Sequence, residues 1–238
     1  MMDAYSAVLA AEEAENSGNL DEAEQLLLRA LRVSRTEDLW DRVNSQASYT
    51  AFLVRRGRVN TATPLIADLL QNAGGHLDTA CKPLSVLLSR ADEKEAVAAL
   101  KKIRPERFID CWSLLRASED CAKAGRFRVA ATLAKLARDD AVSRDDTNDR
   151  WRSDGQLGRV YERQGRIEEA VELWWSAFHQ GSANRVTADR LSLHLERTKQ
   201  YASCALVIRQ ALRRISDPKV IATLHKRLDR VRSRIVLS

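Results

Sequence analysis

The sequence predicts an all-α chain of about six helix–turn–helix repeats closed by a C-terminal capping helix. Three observations predict it. The 238 residues include only 9 Gly and 4 Pro among many Ala, Leu, Glu and Arg, a composition that favours helix. No run of β-branched residues bounded by turn residues marks a strand. A turn marker also recurs: a glycine with a small residue five positions later, at Gly18/Ala23, Gly57/Ala62, Gly125/Ala130 and Gly165/Ala170. Degenerate markers at Ala91/Ala96 and Lys199/Cys204 fill the gaps, giving spacings of 39, 34, 34, 40 and 34 residues. One such pair means little, but six in phase define a repeat.

The clearest unit is residues 157–178, LGRVYERQGRIEEAVELWWSAF. Leu157, Val160 and Tyr161 share a face of its first helix. Ala170, Trp174 and Ala177 share a face of the second, with Val171, Trp175 and Phe178 on an adjoining stripe. Gly165 between them suits the left-handed backbone that ends a helix, because it has no Cβ to clash.

In chain order, Ala7, Ala10, Ala11 and Ala14 make a smooth first helix, and Asp21, Glu22 and Glu24 suit the positive first turn of its partner. Ser34 and Glu37 have the spacing of a capping box, predicting a helix from there to about Arg56 with Leu39, Trp40, Val43, Ala47 and Phe52 apolar. Thr61 reads as the cap of the following helix, which places Pro64 in its first turn. Pro83 predicts that the first helix of the third pair starts late or is kinked. Its partner is expected over about residues 94–104. Pro105 suits the first position of the next helix, expected to run to Lys123 with Phe108, Ile109, Trp112, Leu115 and Cys121 apolar. A helix over 126–139 follows. Residues 143–148 (SRDDTN) read either as a loop or as the capped start of a helix near Asp146 or Thr147. Asp217-Pro218 starts a last helix, with Val220, Ile221, Leu224, Leu228, Val231 and Ile235 in one stripe and Lys226, Arg227, Arg230, Arg232 and Arg234 exposed around it. The domain reading is therefore 1–216 as six pairs and 217–238 as a basic cap.

The unit at 157–178 resembles a tetratricopeptide repeat in Leu157-Gly158, Tyr161, Gly165, Ala170, Trp174 and Ala177. The resemblance extends over about residues 3–216, weakest at Ala91 and Lys199. It implies a right-handed α-solenoid that binds other macromolecules and does no catalysis. In that family the first helices line a concave groove. Carried over by position, the groove of repeats four to six includes Arg116, Glu119, Lys123, Arg152, Arg159, Arg163, Asp189, Arg190, Glu196 and Arg197. Seven of these ten are basic, which suits an acidic or C-terminal-carboxylate ligand. They also read as ordinary solvated residues. The chaperone-binding subclass carries a Lys/Asn/Arg clamp where this chain has Val8, Glu12, Ser48, Asp78 and Lys82, so that ligand is not indicated.

Charge is uneven. Residues 1–40 hold 3 Arg against 9 acids, whereas residues 185–238 hold 13 Lys and Arg against 4 acids. Such asymmetry suggests polarised binding surfaces or self-association. The basic C-terminal third, with Arg227, Arg230 and Arg234, keeps nucleic-acid or nuclease-associated binding open as the alternative function. CAKAGRF and YERQGRIEEA also resemble pentatricopeptide repeats, but the base-reading positions would hold Ala47, Cys81, Leu115, Gly155 and Asp189, which excludes a base-by-base code.

No phosphate loop, dinucleotide fingerprint or nucleophile elbow is present, so no catalytic residue and no cofactor is indicated. Glu168-Glu169 and Asp139-Asp140 point about 100° apart on a helix and read as solvated. Cys81, Cys111, Cys121 and Cys204 form no C-x-x-C pair and read as packing thiols; the four His have no metal spacing. The N-terminus lacks a signal-peptide pattern, and no apolar run reaches the ~20 residues of a membrane span. A cytoplasmic adaptor or complex subunit with a protein partner is the expectation.

Overall fold

A computed structural model describes residues 2–179 and 185–235; Met1 and the last three residues of the expected 217–238 cap lie outside them. All regular structure in the described residues is helical. The chain forms two compact units, Met1–Ile109 and Asp110–Ser238.

The first unit holds α1 (Ala4–Asn16), α2 (Leu20–Val33), α3 (Leu39–Arg55), α4 (Val59–Asn72), α5 (Leu77–Ala80), α6 (Lys82–Arg90) and α7 (Glu93–Ile103). α1 pairs with α2 and α3 with α4, while α6 packs on α3 and α7 on α4. The alanine face of α1 lets α2 approach closely: Ala7, Ala11, Ala14, Ala23 and Ala30 are buried in one cluster with Val8, Leu27 and Phe52.

The second unit holds α8 (Cys111–Lys123), α9 (Phe127–Ser143), α10 (Thr147–Arg163), α11 (Ile167–His179), α12 (Arg185–Arg197), α13 (Tyr201–Leu212) and α14 (Pro218–Ile235). Each helix packs on the next along the chain; α10 also packs on α8 and α14 on α12.

The turns share one hydrogen-bond pattern. At the first, Gly18 adopts φ 81°, its N–H bonds the Glu15 carbonyl at 3.0 Å, and the Asn19 N–H reaches back to Ala14 at 2.8 Å. Two crossed bonds of this kind satisfy carbonyls that a helix end leaves open, and they need a left-handed residue at their centre. Gly57, Gly125 and Gly165 repeat it, and so do Lys199 (φ 59°) and Asp145 (φ 54°). Ala91 departs from the others, with an extended backbone at ψ 155°. A Cβ in the left-handed region is strained. Lys199→Gly is therefore expected to raise stability by up to about 1 kcal/mol, seen as a higher urea midpoint with an unchanged slope.

Several sequence expectations shift by a few residues, two of them because a short turn takes up the chain before the cap. Ser34–Thr36 forms a 3-10 turn instead of a capping box, and Asp38 caps α3 by accepting the Asp41 N–H at 2.9 Å. Likewise Pro105–Arg107 forms a 3-10 turn after a left-handed Arg104, and Asp110 caps α8 through the Ser113 N–H at 2.9 Å. α4 begins at Val59, two residues before the expected cap, so Pro64 stands inside it and cannot donate to the Asn60 carbonyl. α9 runs about a turn beyond the expected 139. Of the two readings of residues 143–148, the capped start holds: Asp146 accepts the Asp149 N–H at 3.0 Å. Pro83 sits in the first turn of α6, after a break at Cys81.

Candidate functional site

In the second unit, α8 and α10 lie side by side. Their contact is fixed from below by polar groups. Ser118 on α8 donates to the Ala130 carbonyl of α9 at 2.8 Å, and Gln156 on α10 donates to Ser118 Oγ at 3.4 Å. Cys111 is buried against Ser153, and burial pushes its thiol up to about 11. Cys204 is similarly buried, donates to the Ser192 carbonyl at 3.1 Å and is also pushed up to about 11 by burial. Neither thiol has the low pKa of a nucleophile.

Above this floor the two helices leave a groove of about 430 Å³ lined by Trp112, Leu115, Arg116, Glu119, Arg152, Gly155, Gln156 and Arg159. Trp112 is 64% exposed at its edge, although the sequence reading counted it among the apolar packing residues. Asp110 two positions earlier explains this: the capping acid starts the helix there and fixes Trp112 on its open side. The same Asp-x-Trp order occurs at Asp38-Leu39-Trp40, where Trp40 is also exposed. The tripeptide alone does not mark an exposed ring, since Asp149-Arg150-Trp151 has the same order inside a helix and its Trp151 is half-buried; the signal is an Asp that caps the helix two residues before the Trp.

Four expected residues meet in the groove: Arg116, Glu119, Arg152 and Arg159. Arg116 is exposed and makes no ion pair among the described residues. Arg152 reaches Asp149 at 3.0 Å, and Arg159 bonds Glu119 at 3.3 Å. Burial works to raise the Glu119 carboxyl, but Arg159 and Lys123 together hold it below its ordinary value. Lys123 is thereby engaged at the groove's end, 3.3 Å from Glu119. Three guanidinium groups against two carboxylates, Glu119 and Asp149, leave the groove positive.

The other expected residues stand elsewhere. Arg190 pairs with Glu162 at 3.3 Å. Arg163, Arg197 and Arg234 are exposed, without an ion pair among the described residues. Arg227 was expected on the surface of α14 and is instead buried. Its guanidinium donates to the Asp189 carbonyl at 2.9 Å and to Ser192 Oγ at 2.6 Å, and it pairs with the Asp189 carboxylate at 2.9 Å. Arg230 is fastened to Glu196 of α12 by two bonds of 3.1 and 3.2 Å. The reason is tertiary: α12 presents acids to α14, which a reading of α14 alone could not register. Two of the cations expected for a ligand thus hold the cap in place.

No group of His, Cys, Asp and Glu suited to a metal ion occurs among the described residues, and no described helix is long and apolar enough to cross a membrane.

No protein-family model matches the sequence, and no curated protein matches it either. Solved structures do. The complex of the TPR2AB domain of yeast Sti1 with pHSP90 is similar at 14% identity and a TM-score of 0.30, over 97% of this chain and 97% of that one. A tetratricopeptide repeat protein from Parabacteroides merdae is similar at 13% identity and a TM-score of 0.32, over 94% of this chain and 98% of that one.

Proposed function

We propose that the chain is a non-enzymatic scaffold, a subunit of a larger complex, whose α8/α10 groove takes an acidic segment or C-terminal carboxylate of a protein partner. The observation that carries this is the pairing of an exposed Trp112 with Arg116, Arg152 and Arg159 around one cleft. Guanidinium forks match carboxylates in shape as well as charge, and an exposed indole supplies apolar area at little entropy cost. Four unbridged cysteines agree with a cytoplasmic setting. The recurring turns support the six-pair division with a basic cap everywhere but in the third pair, where Ala91 is extended. The nucleic-acid alternative loses support, because Arg227 and Arg230 are engaged inside the unit.

The test is titration with a fluorescent Glu- and Leu-containing nonapeptide ending in a free carboxylate. Arg116→Glu with Arg152→Glu should weaken binding by about tenfold or more, since buried charge pairs at an interface are worth more than this. Both residues are exposed, so the variant should melt like the wild type. Equal affinity of a folded variant, or tighter binding of a single-stranded oligonucleotide than of the peptide, would sink the proposal.

A further inference from the structure

We infer that the first unit carries a second interaction surface of opposite sign, in which Tyr5 and Trp40 receive an arginine or lysine side chain of a basic peptide segment. This goes beyond the scaffold reading and does not depend on the α8/α10 groove.

The rings belong to different helices, Tyr5 to α1 and Trp40 to α3. Their centroids lie 5.7 Å apart, with planes inclined at 44°. Both are exposed, Tyr5 at 47% and Trp40 at 37%. A tilted pair of this kind forms an open notch, not a closed stack, so each ring keeps a face for a third group. Leu9, one turn beyond Tyr5 on the same stripe of α1, is exposed at 43% and extends the apolar floor. Folding does not require this arrangement: α1 is anchored through its opposite face, by Ala4, Ala7, Val8, Ala11 and Ala14.

The charge around the notch selects the occupant. α1 contains no Lys or Arg. Asp3 caps it by accepting the Ser6 N–H at 2.7 Å, and Asp38 caps α3 through the Asp41 N–H at 2.9 Å. Each cap offsets a helix end worth about half a positive charge. Glu37 joins Asp3, Asp38 and Asp41 by accepting the Ala4 N–H at 3.4 Å, so four carboxylates outweigh the two helix ends and the N-terminal ammonium that draws on Asp3 by about two charges. Asp41 registers the excess: burial first, then Asp38 and Asp3, push its carboxyl above its ordinary value, with no cation acting against them. Negative potential beside two open aromatic faces is the environment that attracts a guanidinium or ammonium, through the ring quadrupole and the carboxylates together. A nucleic acid or an acidic peptide would be repelled. The occupant is therefore a protein segment in which basic and apolar residues alternate, the basic one over the rings and the apolar one against Leu9.

The experiment uses the full chain and a labelled Arg-Leu-Arg-Leu-Arg-Leu peptide, with a citrulline version as its uncharged isostere. The arginine peptide should bind and shift tryptophan emission, and the citrulline peptide should bind about tenfold more weakly. Trp40→Leu and Tyr5→Leu should each lose about tenfold, whereas Tyr5→Phe, which keeps the ring, should bind like the wild type. Reversal of Arg116 and Arg152 should leave this binding unchanged, so the two sites fail independently. Equal binding of the two peptides would overturn the inference. So would full affinity in both leucine variants, or a chain that self-associates through this face and excludes the peptide.

Discussion

Trp174→Ala should lower the stability of the protein by about 3–5 kcal/mol, the cost of emptying a large aromatic site in a core that relaxes only in part. Among the described residues, Trp174 is the largest side chain that is fully buried. It lies against α10 at Gly158, where a methyl group would stand 2.8 Å from the indole Cδ1 and 3.0 Å from Cε2. Gly158 is thus kept small by the ring rather than by backbone conformation. Two results should follow in denaturant titrations. Gly158→Ala alone should destabilise, because helix and indole must separate. Gly158→Ala combined with Trp174→Leu should be better than the sum of the two single changes, since the smaller side chain vacates the space that the methyl needs. Trp175→Ala is the internal control. Trp175 is half-buried and stacks on His179 at 5.2 Å, so its loss should cost much less. Additive behaviour of Gly158→Ala and Trp174→Leu would show that the close approach is not what constrains the pair.

The second large effect is expected at Arg138. Its Nε lies 2.5 Å from Asp154, whose side chain is wholly buried in the middle of α10. Neither Asp154 oxygen accepts a well-directed hydrogen bond, so the two groups meet chiefly as charges. Burial pushes the Asp154 carboxyl up, against Arg138 and Arg150, which pull it down. Arg138→Met would strand that carboxylate, at a cost of about 3 kcal/mol, the low end for a buried pair because Arg138 is itself partly exposed. Arg138→Met with Asp154→Leu should recover most of the loss. The pH dependence has a definite sign. A carboxyl whose folded pKa lies above its unfolded value binds more protons in the folded state, so its contribution to stability falls as pH rises through that interval. The single variant should therefore approach the wild type near pH 4 and differ most at neutral pH. A constant difference across that range would mean that the methionine is read as a packing change only.

What was legible in the sequence was local. Gly18, Gly57, Gly125 and Gly165 each mark a left-handed turn because glycine adopts that backbone without a Cβ clash, whereas the same turns at Asp145 and Lys199 carry no such mark; the phase of Leu157, Tyr161, Ala170 and Trp174 follows from the helical period. Helix starts were harder. Ser34 and Pro105 have the right chemistry to open a helix, yet a tight turn follows each, and Asp38 and Asp110 do the capping. Asp154 was passed over because a lone acid in a helix pattern reads as solvated. Only the arrival of Arg138 from α9 makes it tolerable in the core. For the groove, Arg116, Arg152 and Arg159 are legible as neighbours through their position on first helices, but Trp112 reads as packing because period alone does not say which apolar residue lacks a neighbour.

Arg227 also acts as a ruler. The apolar stripe of α14 repeats nearly every four residues, so a slide by one turn would bring Leu224 to the place of Leu228 and Val220 to that of Leu224. Leucine and valine distinguish such registers poorly. The guanidinium does not tolerate the exchange: the same slide would put Thr223 opposite Asp189 and Ser192 and drive the charge into the buried place of Val231. One buried cation thereby selects a single alignment of the last helix from several that grease alone would allow.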